Sequence, residues 1–88
     1  MIRIPITKIN SYDVKEVKYN NNEVVKIIKY SSEEYYICNK KKKSDFYNCY
    51  SIKENEYLNI ISKTNNFNDL KNEFNKIVTS NELEYNEY

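Results

Sequence analysis

The chain has 88 residues, of which 31% are charged and 40% hydrophobic, and its formal net charge is only +1; this length provides one domain with a single core. It contains neither histidine nor glycine, which excludes imidazole chemistry and the glycine-rich loops that bind phosphates or dinucleotides. No apolar run approaches the roughly 18 residues of a membrane span, and "MIRIPITKIN" lacks the apolar core of a signal peptide. We therefore expect a cytoplasmic protein without a membrane partner.

The first predicted element is a strand over residues 2–9. Apolar and polar residues alternate in "IRIPITKI", which places Ile2, Ile4 and Ile6 on one face. Pro5 has no N–H to donate to a neighbouring strand, so we expect this strand at an edge of the sheet.

A hairpin is predicted around the three asparagines at residues 20–22, because asparagine tolerates the left-handed backbone that tight turns need. With this loop, apolar residues face apolar ones and acids face lysines across the two strands. The apolar pattern changes phase near Lys15 and Ile27, which predicts a bulge or a strong twist. The expected pairs are Tyr12 with Tyr30, Asp13 with Lys29, Val14 with Ile28, Glu16 with Lys26, and Val17 with Val25.

A second hairpin is predicted in "YYICNKKKKSDFYNCYSI", with its turn at Lys43 and Ser44. In this register Cys38 and Cys49 lie directly opposite each other, where a cross-strand disulfide is geometrically conceivable. Free thiols are the preferred state for a cytosolic protein, and two cysteines without histidine do not make a zinc site. The other expected pairs are Tyr35 with Ile52, Tyr36 with Ser51, Ile37 with Tyr50, Asn39 with Asn48, and Lys40 with Tyr47.

The remainder of the chain changes to a helical period. Ser51 and Glu54 have the spacing of a capping box, and apolar residues then recur at helical spacing, which predicts a helix over residues 53–63. Asn66 is expected to cap a second helix. The apolar stripes are Tyr57, Leu58 and Ile61 in the first helix, and Phe67, Leu70, Phe74, Ile77 and Val78 in the second.

Together these elements predict an α+β domain. It consists of a twisted antiparallel sheet of about five strands, including two hairpins, followed by two C-terminal helices packed on one face. We assign residues 1–81 to this single domain and expect the acidic residues 82–88 to form a flexible tail.

The lysine run at residues 40–43 is the first candidate binding site. At a hairpin tip it could contact phosphates or an acidic protein surface, with Tyr36 and Tyr47 as exposed aromatic rings beside it. A solvated hairpin end explains the same run, since lysines discourage pairing at strand edges. The four side chains are Lys40, Lys41, Lys42 and Lys43.

The acidic ending is the second candidate. Residues 1–50 carry ten Lys or Arg against six Asp or Glu, whereas residues 51–88 carry four against seven, so the sequence predicts a bipolar molecule. Glu82, Glu84 and Glu87 could imitate nucleic-acid phosphates toward a basic partner. A solubilising tail explains them equally.

The predicted function is that of a small non-enzymatic interaction module, with no cofactor and no metal. The abundant Asn, Lys, Ile, Tyr and Glu have AT-rich codons. In size, bipolar charge and coding bias, though in no particular motif, the chain resembles the small inhibitors that phages and mobile elements use against host defences, including anti-CRISPR proteins. This resemblance implies a protein partner, such as a nucleic-acid-handling effector of a bacterial host, that is blocked by surface occlusion. The alternative is a small DNA- or RNA-binding protein using the lysine hairpin and nearby tyrosines, and the oligomeric state stays open.

Overall fold

The computed structural model describes residues 1–9, 13–16 and 22–85. The expected α+β class is confirmed, with an antiparallel sheet followed by two helices. The strands are β1 (Ile2–Pro5), β2 (Asp13–Glu16), β3 (Glu23–Lys29), β4 (Tyr35–Lys41) and β5 (Phe46–Ile52), and the helices are α1 (Glu54–Lys63) and α2 (Phe67–Tyr85). None of the helices in the described part of the chain is long and apolar enough to cross a membrane.

The sheet has the strand order β1-β5-β4-β3-β2, and all neighbouring strands are antiparallel. β1 lies at an edge, as Pro5 predicts, but it is shorter than expected because a 3-10 turn follows at Ile6–Lys8. Pro5 still pairs with Phe46, and the strand ends where the backbone turns at Ile6.

The register of the second hairpin is confirmed from Tyr35 with Ile52 to Asn39 with Asn48. The expected pairing of Lys40 with Tyr47 is not part of this ladder. Instead, the backbone of Lys40 pairs with Val24 on β3.

The first hairpin has the expected pairs Asp13 with Lys29, Val14 with Ile28, and Glu16 with Lys26. The pairs that involve Tyr12 and Val17, and most of the asparagine loop, lie outside the described residues. The predicted bulge is wrong, because pairing continues without interruption through Lys15 and Ile27.

β3 shows why the apolar pattern seemed to change phase. Val25 and Ile27 belong to the cluster under the helices, whereas Val24 and Ile28 belong to a cluster on the opposite face. The strand therefore alternates normally, and both of its faces are apolar because both are covered.

The helix-side cluster contains the stripe predicted for α2. Leu70 and Phe74 are buried, and Phe67, Ile77 and Val78 pack against the cluster. Burial of each large apolar side chain stabilises the fold by about 1.5–3 kcal/mol. The sheet and α1 contribute Val25, Ile27, Tyr35, Ile37, Ile52, Tyr57 and Ile60 to the same cluster.

The second cluster corrects the expectation of a single core. It lies on the face of the sheet away from the helices and is built around the fully buried Cys38 and Cys49. An 88-residue chain can maintain apolar packing on both faces of one sheet because the same strands supply both clusters. The other members are Ile4, Val24, Ile28, Tyr36 and Tyr47, with Ile9 and Tyr30 packed against them.

Of the two predicted helix N-caps, one is confirmed and the other is wrong. The Asn66 cap is confirmed, since its Oδ1 accepts a hydrogen bond from the Asp69 N–H at 2.9 Å. The Ser51 capping box is wrong: Ser51 belongs to β5, and Lys53 is the N-cap residue, its N–H donating to Glu56 Oε1 at 3.4 Å. The strand continues to Ile52 because that residue pairs with Tyr35 and joins the core.

α1 also buries a different residue from the one expected. Ile60 lies in the helix-side cluster, whereas Leu58 is 56% exposed. The helical stripe of α1 therefore runs through Tyr57, Ile60 and Ile61.

Replacement of Leu70 by alanine tests the helix-side packing. Leu70 is fully buried, so Leu70→Ala should lower the free energy of unfolding by about 2–5 kcal/mol through lost apolar burial and cavity formation. Leu58→Ala removes the same atoms from an exposed position and should change it by less than about 0.5 kcal/mol. Urea denaturation followed by circular dichroism measures both. Equal effects of the two substitutions would contradict this packing.

Candidate functional site

The lysine run covers the last two residues of β4 and the first two residues of the turn into β5. Backbone hydrogen bonds hold this turn at three points. The Ser44 N–H donates to the Lys41 carbonyl at 2.9 Å, which closes the turn. The Lys42 N–H donates to the Asn22 carbonyl at 2.9 Å, and the Ile6 N–H donates to the Asp45 carbonyl at 2.9 Å. The turn is thus tied both to the start of β3 and to the N-terminal segment.

Lys40 contributes to the structure of the turn itself. Its Nζ donates to the Lys42 carbonyl at 2.8 Å and to the Lys41 carbonyl at 3.2 Å. The same nitrogen lies 5.7 Å from the centroid of the Tyr47 ring, within the range of a cation–π contact. Lys40 therefore satisfies carbonyl groups of the turn and supports its structure.

A cleft lies beside this turn, on the side of the sheet that carries the helices. We call it the tip cleft; its volume is about 760 Å³. Its rim consists of the exposed Lys41, Lys42 and Lys43. Its remaining lining consists of Asn22, Glu23, Asn39 and Asn48.

A polar network forms the floor of the tip cleft. Asn48 Nδ2 donates to Asn39 Oδ1 at 3.2 Å, and Asn39 Nδ2 donates to Glu23 Oε2 at 2.7 Å. Lys71 on α2 donates to the same Glu23 oxygen at 2.5 Å. The Glu23 charge is thus compensated from the helix side, so Lys41 and Lys43 give the rim of the cleft a positive charge.

This floor was not among the candidate residues from the sequence. The register prediction did place Asn39 opposite Asn48, and two amides on an otherwise apolar face were the available signal. The contact between Lys71 and Glu23 joins residues 48 positions apart, and no local pattern indicates it.

The two tyrosines proposed as exposed rings are buried, which corrects that expectation. Tyr36 is only 7% exposed and Tyr47 only 5%. The Tyr36 hydroxyl donates to Glu34 Oε2 at 2.9 Å, and its ring lies edge-on to Tyr30 with centroids 5.7 Å apart. Both rings help to cover the second face of the sheet, so neither offers a flat surface to a stacking base.

The cysteines lie directly opposite each other, as the register predicts. Both are free thiols, and Cys38 Sγ donates to Cys49 Sγ at 2.8 Å. The hydrogen bond to Cys49, together with burial, raises the pKa of the Cys38 thiol. Within residues 1–9, 13–16 and 22–85, no group of three or more His, Cys, Asp or Glu is placed to hold a metal ion.

The acidic candidates lie far from the lysines. Helix α2 continues to Tyr85, so Glu82 and Glu84 lie on helical backbone that extends into the segment assigned to the tail, whereas Glu87 lies outside the described residues. At about 1.5 Å per residue, Glu84 is roughly 20 Å along the helix from Lys71 at the tip cleft. The structure therefore does not bring the acidic and basic candidates together.

Ionisation of Tyr36 should lower the stability of the fold at alkaline pH. Burial, with the hydrogen bond to Glu34 and the charge of that carboxylate, raises the pKa of Tyr36 to about 12. The contribution of its neutral hydroxyl to stability is present below pH 10 and is lost as the pH rises through the folded-state pKa, by at most about 1.4 kcal/mol per pH unit. Tyr36→Phe lacks this titration. The difference in unfolding free energy between wild type and variant, from urea denaturation at pH 9 and pH 11, should therefore shrink; a constant difference would contradict this.

Thiol labelling tests the burial of the cysteine pair. Both thiols are inaccessible in the folded protein, so alkylation by iodoacetamide at pH 8 should be roughly a hundredfold slower than in urea. Intact mass spectrometry measures the modification. A mass lower by two hydrogens in the untreated protein would instead show that the disulfide has formed, contrary to the free thiols described here.

Searches against protein-family models, curated proteins and solved structures found no significant match to this chain.

Proposed function

We propose that this protein is a non-enzymatic interaction module that binds an acidic surface of a protein partner through the tip cleft. The observation that supports it best is that Lys41, Lys42 and Lys43 are all exposed around one cleft. The carboxylate within that cleft, Glu23, is already bound by Lys71. The positive charges of Lys41 and Lys43 favour an acidic partner and accelerate its association.

Burial of the tyrosines favours a protein partner over the nucleic-acid alternative. Binding to single-stranded nucleic acid commonly combines a basic groove with aromatic rings on which bases stack. Tyr36 and Tyr47, the rings expected to do this, are covered by their own cluster. The alternative loses these two rings and retains the lysines and the partly exposed Phe46 ring, in a chain whose net charge is only +1.

The narrower form of the proposal concerns the biological role. In this form the module is a phage or mobile-element inhibitor that occludes a nucleic-acid-handling defence effector, in the manner of anti-CRISPR proteins. Its small size and AT-rich coding support this role. The nucleic-acid groove of such an effector is basic, so the lysine tip would anchor on adjacent acidic surface. The acidic end of α2, roughly 20 Å away, would then face the groove.

Charge reversal at the tip provides the test. Wild-type protein, Lys41→Glu/Lys43→Glu, and the control Lys53→Glu/Lys76→Glu are used for affinity capture from extract of a low-GC bacterium, with and without nuclease. The control changes the net charge equally, but Lys53 and Lys76 lie outside the tip cleft. We expect wild type and control to retain the same protein in both arms, and the tip variant to retain roughly tenfold less.

Two results would overturn the proposal. If the tip variant and the wild type capture equal amounts of the protein, the tip cleft is not the binding surface. Capture that disappears with nuclease would instead assign the lysines to nucleic acid, and affinity for an oligonucleotide should then fall steeply with salt concentration.

A further inference from the structure

The tip cleft is large enough to accept part of a partner molecule. Its volume is about 760 Å³, comparable to the roughly 300–1,000 Å³ of ligand clefts, and it is open to solvent. The cleft is also anchored, because hydrogen bonds join its turn to Asn22 and to Ile6. A partner group that enters it therefore meets a prearranged surface.

The floor provides hydrogen-bond groups of both kinds. Asn48 uses one amide hydrogen in the network with Asn39. An asparagine side chain has two amide hydrogens and an oxygen that accepts, so the Asn48 amide can pair with a peptide group, which likewise has one donor and one acceptor. This complementarity favours a polypeptide in the cleft.

The rim lysines complement the acidic side chains of such a polypeptide. Lys41 and Lys43 are exposed at the cleft. Their flexible stems let the two ammonium groups reach carboxylates on either side of a peptide group that is bound at the floor.

We infer that the tip cleft binds an extended acidic peptide segment of the partner, with carboxylates on Lys41 and Lys43 and a peptide group on Asn48. This inference rests on the proposed function, because both place the partner at the tip cleft. It adds that the recognised feature is a flexible acidic segment and not only the surface of a folded domain.

The test uses labelled peptides and does not require the natural partner. An octapeptide of alternating glutamate and serine, its glutamine counterpart, and an oligothymidylate of equal charge are titrated into the full chain at low salt. Fluorescence anisotropy measures affinity, and backbone amide NMR shifts locate the site. We expect the glutamate peptide to bind at least tenfold tighter than the other two, with shifts at Asn22, Glu23 and residues 39–48.

Variants assign the contacts. Lys41→Glu/Lys43→Glu should weaken binding of the glutamate peptide at least tenfold, and Lys53→Glu/Lys76→Glu should leave it unchanged. Asn48→Leu has a side chain of similar size, adds no charge and lacks the amide, and should weaken binding of the glutamate peptide severalfold. Because Lys41 and Lys43 are exposed, their reversal leaves the core intact, as thermal unfolding can verify.

Three outcomes would overturn the inference: equal binding of the glutamine peptide, tighter binding of oligothymidylate, or no peptide binding up to 1 mM. If the glutamate peptide does not bind but capture of a protein still depends on the tip lysines, the inference of an acidic peptide segment is wrong and the proposed function stands. If no protein is captured through the tip lysines, the proposed function itself is wrong. The two experiments therefore separate the two claims.

Discussion

The register of β4 against β5 is the constraint on which the remaining structure depends. β4 pairs with β3 on one side and β5 on the other, and side chains alternate between its faces. A slip of one residue would move every side chain of the hairpin to the opposite face. Ile37 would then leave the helix-side cluster, and Cys38 would leave the opposite one. Burial on both faces thus fixes one register.

The same register builds the candidate site. It places Asn39 opposite Asn48 on the helix side, beyond the end of the apolar packing, where their amides form the floor of the tip cleft. It also ends the ladder so that the turn presents Lys41, Lys42 and Lys43 around that floor. The cleft is therefore a consequence of strand pairing.

Two-sided packing changes the chemistry available at the surface. A sheet with one solvated face would have left Tyr36 and Tyr47 exposed beside the lysines. Here both rings lie in the second cluster, and Tyr47 has the ammonium groups of Lys26 and Lys40 within 6 Å of its centroid. The rings of Tyr36 and Tyr47 are thus structural, whereas Lys41 and Lys43 lie at the surface. The proposed binding surface consists of charges and amides.

Local sequence patterns were sufficient to predict many of the structural elements of this protein. Alternation of apolar residues, matched cross-strand pairs and the Asn66 cap with its apolar stripe determine the antiparallel hairpins, α2 and the placement of Cys38 opposite Cys49. These features depend on interactions between residues close in sequence or on the periodicity of one element.

Only the tertiary structure decided which faces are covered and which lysines are exposed at the cleft. The second cluster depends on side chains from several strands meeting on one face, and the neutralised floor of the cleft depends on Lys71 reaching Glu23 from α2. The different role of Lys40 follows from the path of the turn carbonyls. Such contacts arise from packing between distant segments, and the composition or spacing of either segment alone does not specify them.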